Sequence, residues 1–332
     1  MRAIVQEAYG SLNVLKLRDV PLPEVKDDEV LVRVRAASVH PDVWHVVSGK
    51  PYVLRLMGSG LRRPKVRVPG TDMAGVVEST GANATRFRPG DEVFGETLRA
   101  MQWKNGGAFA EYVSVPQDNL SPKPGNVSFE QAATVPTAGL ITLMNLPTGP
   151  LRNVLVNGAA GGVGGLAVQI AKARGATVTG VEHTSKLDLA RELGADHVID
   201  YTKEDFTRLG TRYDLVFDIP GNHSFAACRR ALTPDGTYVL IGHDHYGATG
   251  HPVLGSVPRM VKLMAQSLFL RQLPKPTRAT PPRKESMAVL AELLETGRIT
   301  PVIDRAFPLA ETASALRYLT EGTARGRIVV TL

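Results

Sequence analysis

The chain has 332 residues, of which 43% are hydrophobic and 21% charged, so its length predicts about two domains. This composition excludes a disordered chain, a collagen and a disulfide scaffold. The single cysteine, Cys228, excludes an internal disulfide and every zinc site that needs two thiolates. The net charge of +7 indicates either a basic surface or attraction for an anion, such as a phosphorylated cofactor, nucleic acid or lipid. Because no recognition motif accompanies the charge, we do not expect a nucleic-acid partner.

The first ~120 residues predict a β-rich domain. Residues 29–35 alternate, which places Val30, Val32 and Val34 on one face of a strand and Arg33 and Arg35 on the other. Further short apolar runs bounded by turn residues lie at 74–77, 92–94 and 109–115. A partly closed sheet or small barrel is the expected result.

The pattern changes after Pro122-Lys123-Pro124-Gly125, where strand-like and helix-like segments begin to alternate. The strand-like segments are 154–156, 177–181, 198–199, 215–217 and 238–241, and the helix-like ones are 163–174 and 186–193. Strands separated by helices predict a parallel, doubly wound sheet. Residues 272–284 are Pro-rich and basic and predict an extended linker or a mobile loop, followed by a helix at 285–295 and a strand at 327–332.

A glycine-rich turn follows the first strand of the α/β region. The segment Asn153–Gly164 (NVLVNGAAGGVG) runs from a buried strand into a turn and then into an apolar helix, and its last part reads A-x-G-x-x-G from Ala159. Such a turn lets backbone N–H groups approach a pyrophosphate at a helix N-terminus. The following strand at 177–181 stands where this motif requires it. The sequence therefore predicts dinucleotide binding.

The residues after that second strand leave the choice of dinucleotide open. Glu182 stands where a carboxylate usually accepts hydrogen bonds from the adenosine ribose, which favours NAD(H). Thr184, Ser185 and Lys186 follow, and hydroxyls with a cation suit a 2′-phosphate. Glu182 could instead point outward as a solvated surface residue.

Taken together, the motifs resemble those of the medium-chain dehydrogenase/reductase superfamily, in its zinc-free quinone oxidoreductase branch. The resemblance spans nearly the full length and is carried by the glycine-rich turn and five further motifs: Val68–Gly75 (VPGTDMAG), Pro89–Gly95 (PGDEVFG), Gly106–Tyr112 (GGAFAEY), Leu193–Asp196 (LGAD) and Arg325–Val330 (RGRIVV).

This resemblance implies an α/β protein with a GroES-like β-barrel catalytic domain at 1–121, a Rossmann domain at 122–265 and a return to the catalytic domain at 266–332. It implies an active site in the cleft between the domains, a homodimer, and NADP(H) as cofactor, with NAD(H) possible because of Glu182. The residues that it places at the cofactor are Thr137, Thr142, Ala160, Gly161, Gly162, Val163, Gly164, Thr184, Ser185, Lys186, Gly242 and Arg327.

The departures from the zinc-dependent members of that superfamily predict a protein without zinc. Those members carry a His-Glu pair where this chain has Thr71-Asp72, and a cysteine ligand near residues 38–40. A site built from His40, Asp42 and His45 is conceivable, but Pro41 and the expected loop geometry argue against it.

Without zinc, a substrate that spreads developing charge itself is chemically easier to reduce. Quinones and α,β-unsaturated carbonyls do so, and the protein then supplies orientation and a hydrogen-bond donor at the carbonyl. We take His40 as the first candidate donor and Tyr52 as the second, with Thr137 beside the nicotinamide. Alternatively, His40 packs beside Trp44 and caps a turn.

The predicted function is therefore NAD(P)H-dependent, zinc-independent hydride transfer to a quinone or enone in the cytoplasm. The N-terminus has no apolar core long enough for a signal peptide, and no run of ~18 apolar residues predicts a membrane span. One alternative is a metal-free alcohol dehydrogenase or aldehyde reductase. Another is an NADPH-binding or RNA-binding protein with negligible catalysis. The basic segment 55–67 predicts either a solvated face or a lid that meets an anionic or lipid-like substrate.

Overall fold

The computed structural model describes residues 1–98, 104–242, 253–275 and 281–332. Within these ranges the strands are β1 (Arg2–Gln6), β2 (Leu15–Asp19), β3 (Glu29–Val39), β4 (Asp72–Thr80), β5 (Glu92–Glu96), β6 (Tyr112–Pro116), β7 (Leu120–Pro122), β8 (Asn153–Asn157), β9 (Thr177–Glu182), β10 (His197–Asp200), β11 (Tyr213–Asp218), β12 (Leu232–Leu240), β13 (Ile303–Pro308) and β14 (Arg327–Thr331). The α-helices are α1 (Pro41–Ser48), α2 (Phe129–Ala133), α3 (Pro136–Asn145), α4 (Gly162–Ala173), α5 (Leu187–Glu192), α6 (Phe225–Cys228), α7 (Val257–Ser267), α8 (Arg283–Glu295) and α9 (Thr312–Thr320).

The first unit, unit 1, is a mainly antiparallel β domain. Its seven-stranded sheet runs β13-β14-β3-β4-β5-β7, with β6 also paired to β3, and β1 and β2 form a separate antiparallel pair. The alternation predicted for β3 is confirmed, because Val30, Val32 and Val34 are buried while Arg33 and Arg35 are exposed. The apolar faces of these strands bury one continuous core that also takes in residues of α1 and α9.

The second unit, unit 2, contains the predicted open parallel sheet. Its five strands run β10-β9-β8-β11-β12, and every neighbouring pair is parallel. β8 is central, and α4, which connects it to β9, contacts both strands. The mixed α/β class is thus confirmed, with an antiparallel domain and a doubly wound parallel domain.

The two compact units of the structure have other boundaries than residues 121 and 265, where the resemblance placed the ends of the first two domains. Unit 1 comprises Met1–Leu140 and Pro281–Leu332, and unit 2 comprises Ile141–Thr280. The reason is packing: α2 contacts β3 and β4, and α8 contacts β7, so both helices belong with the antiparallel sheet. The division falls inside α3, and a helix that continues across a domain boundary leaves no composition change for a sequence to show.

The predicted linker at 272–284 is shorter in the structure. Residues 272–275 follow α7 in unit 2, Arg283 and Lys284 already belong to α8, and 276–280 lie outside the described residues. Among the described helices, none is both long and apolar enough to span a bilayer.

Candidate active site

The glycine-rich turn of unit 2 connects β8 to α4 through a close backbone approach. Gly158 has a φ of +86°, a conformation that favours glycine. A Cβ on Gly164 would lie 1.9 Å from the carbonyl oxygen of Gly158, so only glycine lets the helix start this close to the turn. The sequence requirement for glycine at position 164 is therefore a packing requirement of the turn itself.

The start of α4 offers backbone donors to an anion. Gly161 is the N-cap residue, and the first i→i−4 bond of the helix runs from Gly165 N to Gly161 O at 2.8 Å. The N–H groups of Gly162, Val163 and Gly164 precede that bond and so have no acceptor within the helix. Together with the positive end of the helix dipole they form a site suited to a pyrophosphate.

Glu182 lies at the end of β9, beside this turn. It is only 9% exposed, and its carboxylate accepts hydrogen bonds from Ala160 N at 2.9 Å and from His183 N at 3.1 Å. The outward, solvated orientation considered for Glu182 is wrong, because parallel pairing of β8 and β9 puts the strand end against the turn. The N–H of Ala160, which we expected at the cofactor, donates to Glu182.

The residues after β9 interact mainly with the end of β10. The Thr184 hydroxyl donates to Asp200 Oδ2 at 2.6 Å, and Ser185 Oγ lies 3.0 Å from His183 Nδ1. Lys186 follows in the same short helical turn. Hydrogen bonds, first that from Thr184 and then that from Thr202, hold the pKa of Asp200 below its ordinary range.

The sequence analysis did not identify two further residues at this edge of the parallel sheet. Asp200 ends β10, and Tyr201 follows with its ring 51% exposed and 5.8 Å from the His183 ring, centroid to centroid. The available signal was the order of strands: β10 pairs with β9 in parallel, so its carboxyl end lies beside Glu182.

Two more predicted cofactor residues lie in unit 2. Thr142, in the second half of α3, is fully buried, and its hydroxyl donates to the Val163 carbonyl at 3.4 Å. This bond joins α3 to the first turn of α4. Gly242 follows β12 with a φ of +80°.

A buried polar cluster in unit 1 contains His40. The ring is 5% exposed, and Nε2 lies 2.7 Å from the Thr71 hydroxyl oxygen. Burial, with the positive charge of Arg327 as a further cause, lowers the pKa of His40 to about 3, so the imidazole is neutral. His40 precedes α1 without capping it through its side chain, and it is His45 that packs edge-on against Trp44, at 5.1 Å. His40 thus stands at the N-cap position of α1, where its carbonyl accepts from Val43 N at 3.1 Å, while its side chain contacts Thr71 instead.

The same cluster contains Asp72, the first residue of β4, which lies beside the start of α3. Asp72 accepts from Thr137 N at 3.0 Å and from the Thr137 hydroxyl at 2.5 Å, so a carboxylate from β4 caps the helix. The Thr137 hydroxyl is also 3.3 Å from Glu96 Oε1. Burial, and then the nearby charge of Glu96, raise the pKa of Asp72 to about 7.

Two arginines complete the cluster. Arg283 lies 3.0 Å from Glu96 Oε2, and Arg327 donates from Nη2 to the Thr134 carbonyl at 2.7 Å and to Ser38 Oγ at 3.3 Å. Burial lowers the pKa of Arg327 to about 10. The structure thus brings His40, Thr137 and Arg327 into one polar cluster of unit 1.

Tyr52, the second candidate donor, interacts with Arg55. Its ring is 44% exposed, and the Arg55 guanidinium lies 4.7 Å from the ring centroid. No described contact joins the Tyr52 hydroxyl to the polar cluster around His40.

Comparison with known proteins identifies the family. The alcohol dehydrogenase GroES-like domain matches residues 26–125, and the zinc-binding dehydrogenase family matches 193–330. A 2-methylene-furan-3-one reductase of Solanum lycopersicum is 33% identical over 99% of this chain and 79% of its own length. An NADPH-dependent alkenal/one oxidoreductase of Arabidopsis thaliana, chloroplastic, is also 33% identical, with the same coverage. The solved quinone oxidoreductase of Coxiella burnetii is 28% identical, with a TM-score of 0.82 over 100% of this chain and 99% of that one.

The chain belongs to the medium-chain dehydrogenase/reductase superfamily, in its quinone oxidoreductase-like branch. The predicted resemblance is confirmed, and with it the GroES-like and Rossmann character of the two units.

The name of one matching family implies zinc, but the donor set of this superfamily member does not fit that metal. Cys228 is buried, and burial raises its pKa to about 12, which disfavours the thiolate that zinc binds. Thr71 and Asp72, which replace the His-Glu pair, are hydrogen-bonded to His40 and Thr137. Within the described ranges, no three His, Cys, Asp or Glu side chains are grouped as metal ligands. We derive no reaction step through zinc.

Proposed function

We propose that this protein is an NAD(P)H-dependent, zinc-independent oxidoreductase that transfers hydride to a quinone or an α,β-unsaturated carbonyl. The observation that carries the proposal is the glycine-rich turn, whose N–H groups at Gly162, Val163 and Gly164 have no acceptor within the helix and suit a dinucleotide pyrophosphate. The names of the relatives, a furanone reductase and an alkenal/one oxidoreductase, support the conjugated carbonyl as substrate class.

A reduced nicotinamide supplies the hydride when the cofactor is bound. The N-terminus of α4 binds the pyrophosphate, and the Thr142 hydroxyl holds α3 against that turn. The close Gly158–Gly164 approach keeps the donors in a fixed arrangement, so little ordering is needed on binding.

In unit 1, the neutral His40 is the proposed donor that orients the substrate carbonyl. A neutral imidazole donates through one nitrogen only, so this role requires the proton on Nδ1, with Nε2 accepting from the Thr71 hydroxyl at 2.7 Å. Nδ1 lies 3.9 Å from Asp42, beyond hydrogen-bond distance, and is the atom that we propose donates to the carbonyl. The Thr71 contact fixes the ring orientation. Tyr52 remains the second proposed donor, and Thr137 acts through the cap that it forms with Asp72 at the start of α3.

The test is titration of the purified protein with NADH and NADPH, followed by turnover of quinones, enones, aldehydes and simple alcohols. We expect dinucleotide binding and turnover of quinones or enones. Turnover of simple alcohols alone, or dinucleotide binding without any turnover, would contradict the proposal. Unchanged quinone turnover in His40→Ala at saturating cofactor would remove His40 from the mechanism.

We also propose that the protein is a homodimer, which is the common assembly expected from its resemblance to this superfamily. Light scattering coupled to size-exclusion chromatography tests this, and a mass of one chain, 35.7 kDa, would contradict it.

A further inference from the structure

The positive charge of this chain is concentrated in part on one surface segment of unit 1. Between Asp42 and Asp72 the sequence has no acidic residue and six basic ones: Lys50, Arg55, Arg62, Arg63, Lys65 and Arg67. The whole chain carries a net charge of +7, so this stretch alone supplies most of the excess. We call residues 55–67 the basic segment.

The basic segment is held in place by one of its own cations. The Arg55 guanidinium lies between two rings, 4.4 Å from the centroid of Tyr9 and 4.7 Å from that of Tyr52, and its Nε donates to the Gly49 carbonyl at 2.9 Å. The Tyr9 hydroxyl also donates to the Gly60 carbonyl at 2.6 Å. The surface is therefore preorganised, and Arg55 is used in building it.

The other cations of the segment face solvent. Arg62, Arg63, Lys65 and Arg67 are exposed, and no described carboxylate lies within ion-pair distance of them. Large apolar side chains are exposed between them, with Leu56 at 74% and Leu61 at 63%. A surface whose cations have no partner among the described carboxylates, and whose aliphatic groups are exposed, suits an occupant that is both apolar and anionic.

The position of the segment relates it to His40. The two flank α1 in the sequence. His40 immediately precedes the first residue of this helix, and the basic segment begins shortly after its C-cap residue, Gly49. Eight helical residues extend about 12 Å. This length of helix separates His40 from Gly49, and an occupant that also contacts the cations beyond Gly49 would carry its carbonyl at one end and its anionic group at the other.

We propose that the basic segment binds the anionic end of the substrate, which is then an amphiphilic carboxylate or phosphate ester bearing a conjugated carbonyl. The inference rests on the proposed function, because the carbonyl at His40 is the group that this function reduces. It names the substrate class within that function.

The experiment compares a long-chain enone ending in a carboxylate with its methyl ester. In the double variant Arg62→Gln/Arg63→Gln, we expect kcat/KM for the carboxylate to fall about fivefold to tenfold, because two exposed charge interactions are removed and each contributes modestly. The ester should change by less than about twofold, and added salt should reduce the difference between the two substrates. The matched control is Arg18→Gln/Arg317→Gln, which removes two exposed charges elsewhere in unit 1 and should alter neither substrate.

A binding measurement separates failure of this inference from failure of the proposed function. Calorimetry with the saturated keto acid and its methyl ester needs no turnover, and the wild-type protein should bind the acid more tightly. Equal affinities, or equal losses in the double variant, would overturn the inference even if enones are reduced. Sedimentation with phosphatidylglycerol vesicles that is lost in the double variant, without preference for the acid, would assign the segment to a membrane surface and also overturn it.

Discussion

Glu182 is the residue at which the choice between the two dinucleotides can be tested. Its carboxylate is buried beside the phosphate-binding turn and accepts the Ala160 N–H, so it is a fixed negative charge near the adenosine end of the proposed site. A fixed negative charge disfavours a 2′-phosphate and suits a ribose diol. The surrounding hydroxyls and Lys186 act in the opposite direction.

We predict that Glu182→Gln shifts preference toward NADPH. Glutamine keeps an oxygen that can accept from the Ala160 N–H, but it removes the negative charge. The ratio of kcat/KM for NADPH to that for NADH should therefore rise about tenfold, which corresponds to the loss of about 1.4 kcal/mol of repulsion between Glu182 and the 2′-phosphate. Steady-state kinetics with both cofactors measures this, and Glu192→Gln, an exposed glutamate on α5, serves as control. An unchanged ratio would mean that Glu182 does not face the adenosine.

A second prediction at the residue scale concerns Asp72 and pH. Its pKa is about 7 in the folded protein, against 3.8 as the ordinary value, so between those pH values the folded state binds a proton that the unfolded state does not. This contribution to stability is present at low pH and is lost as pH rises toward 7, by up to about 1.4 kcal/mol per pH unit. His40, with a lowered pKa, contributes the opposite slope between about 3 and 6.5.

Asp72→Asn removes the titration of Asp72 while His40 is unchanged. The difference in unfolding free energy, variant minus wild type, should therefore increase from pH 5 to pH 7. Denaturant unfolding at several pH values measures it, and Asp235→Asn at an exposed position should give a flat difference. A difference that decreases with pH would show that Asp72 is stabilised as a carboxylate.

At the scale of elements, the turn between β8 and α4 is the feature that organises unit 2. The strand end, the two glycines and the helix N-terminus depend on one another, because the helix can begin at Gly162 only if Gly164 approaches the Gly158 carbonyl. In unit 1, the comparable element is the start of α3, which Asp72 caps from a neighbouring strand.

We predict that Gly164→Ala lowers dinucleotide affinity at least about tenfold, because the added Cβ must displace backbone rather than a flexible side chain. Fluorescence titration with NADPH and NADH measures this. Gly149→Ala, where a Cβ meets nothing within 4 Å, is the matched control and should bind normally. Wild-type affinity in Gly164→Ala would exclude this turn as the pyrophosphate site.

At the scale of the whole molecule, one sheet domain made of two chain segments is interrupted by a parallel domain. The apolar core of unit 1 includes Phe307 and Val330 from the last part of the chain and Val32 from the first, so its folding requires contacts between distant segments. Unit 2, by comparison, is continuous in sequence from Ile141 to Thr280.

We predict that activity is independent of zinc, because the one cysteine and the Thr71-Asp72 pair supply no ligand set for it. Turnover should be unchanged after dialysis against a chelator, and elemental analysis of the purified enzyme should find far less than one zinc per chain. Loss of activity on chelation that added zinc restores would contradict this prediction.

The sequence by itself determined the class of both domains and the dinucleotide turn. These follow from local patterns: alternation of apolar and charged residues along β3, alternation of strands and helices after residue 150, and a turn whose glycine positions accept no other residue. The family motifs likewise indicated a nicotinamide dinucleotide and a substrate class, but not the choice between NADH and NADPH, since they lie within short, continuous stretches.

The tertiary structure alone decided which distant residues meet. Asp72 and Thr137 are 65 positions apart, and their contact requires the start of α3 to lie beside β4 in the folded chain. Likewise, the inward position of Glu182 follows from the parallel pairing of β8 and β9, and the neutral state of His40 follows from burial beside Thr71. Burial and pKa are properties of the surroundings of a side chain, and those surroundings exist only once the chain has folded.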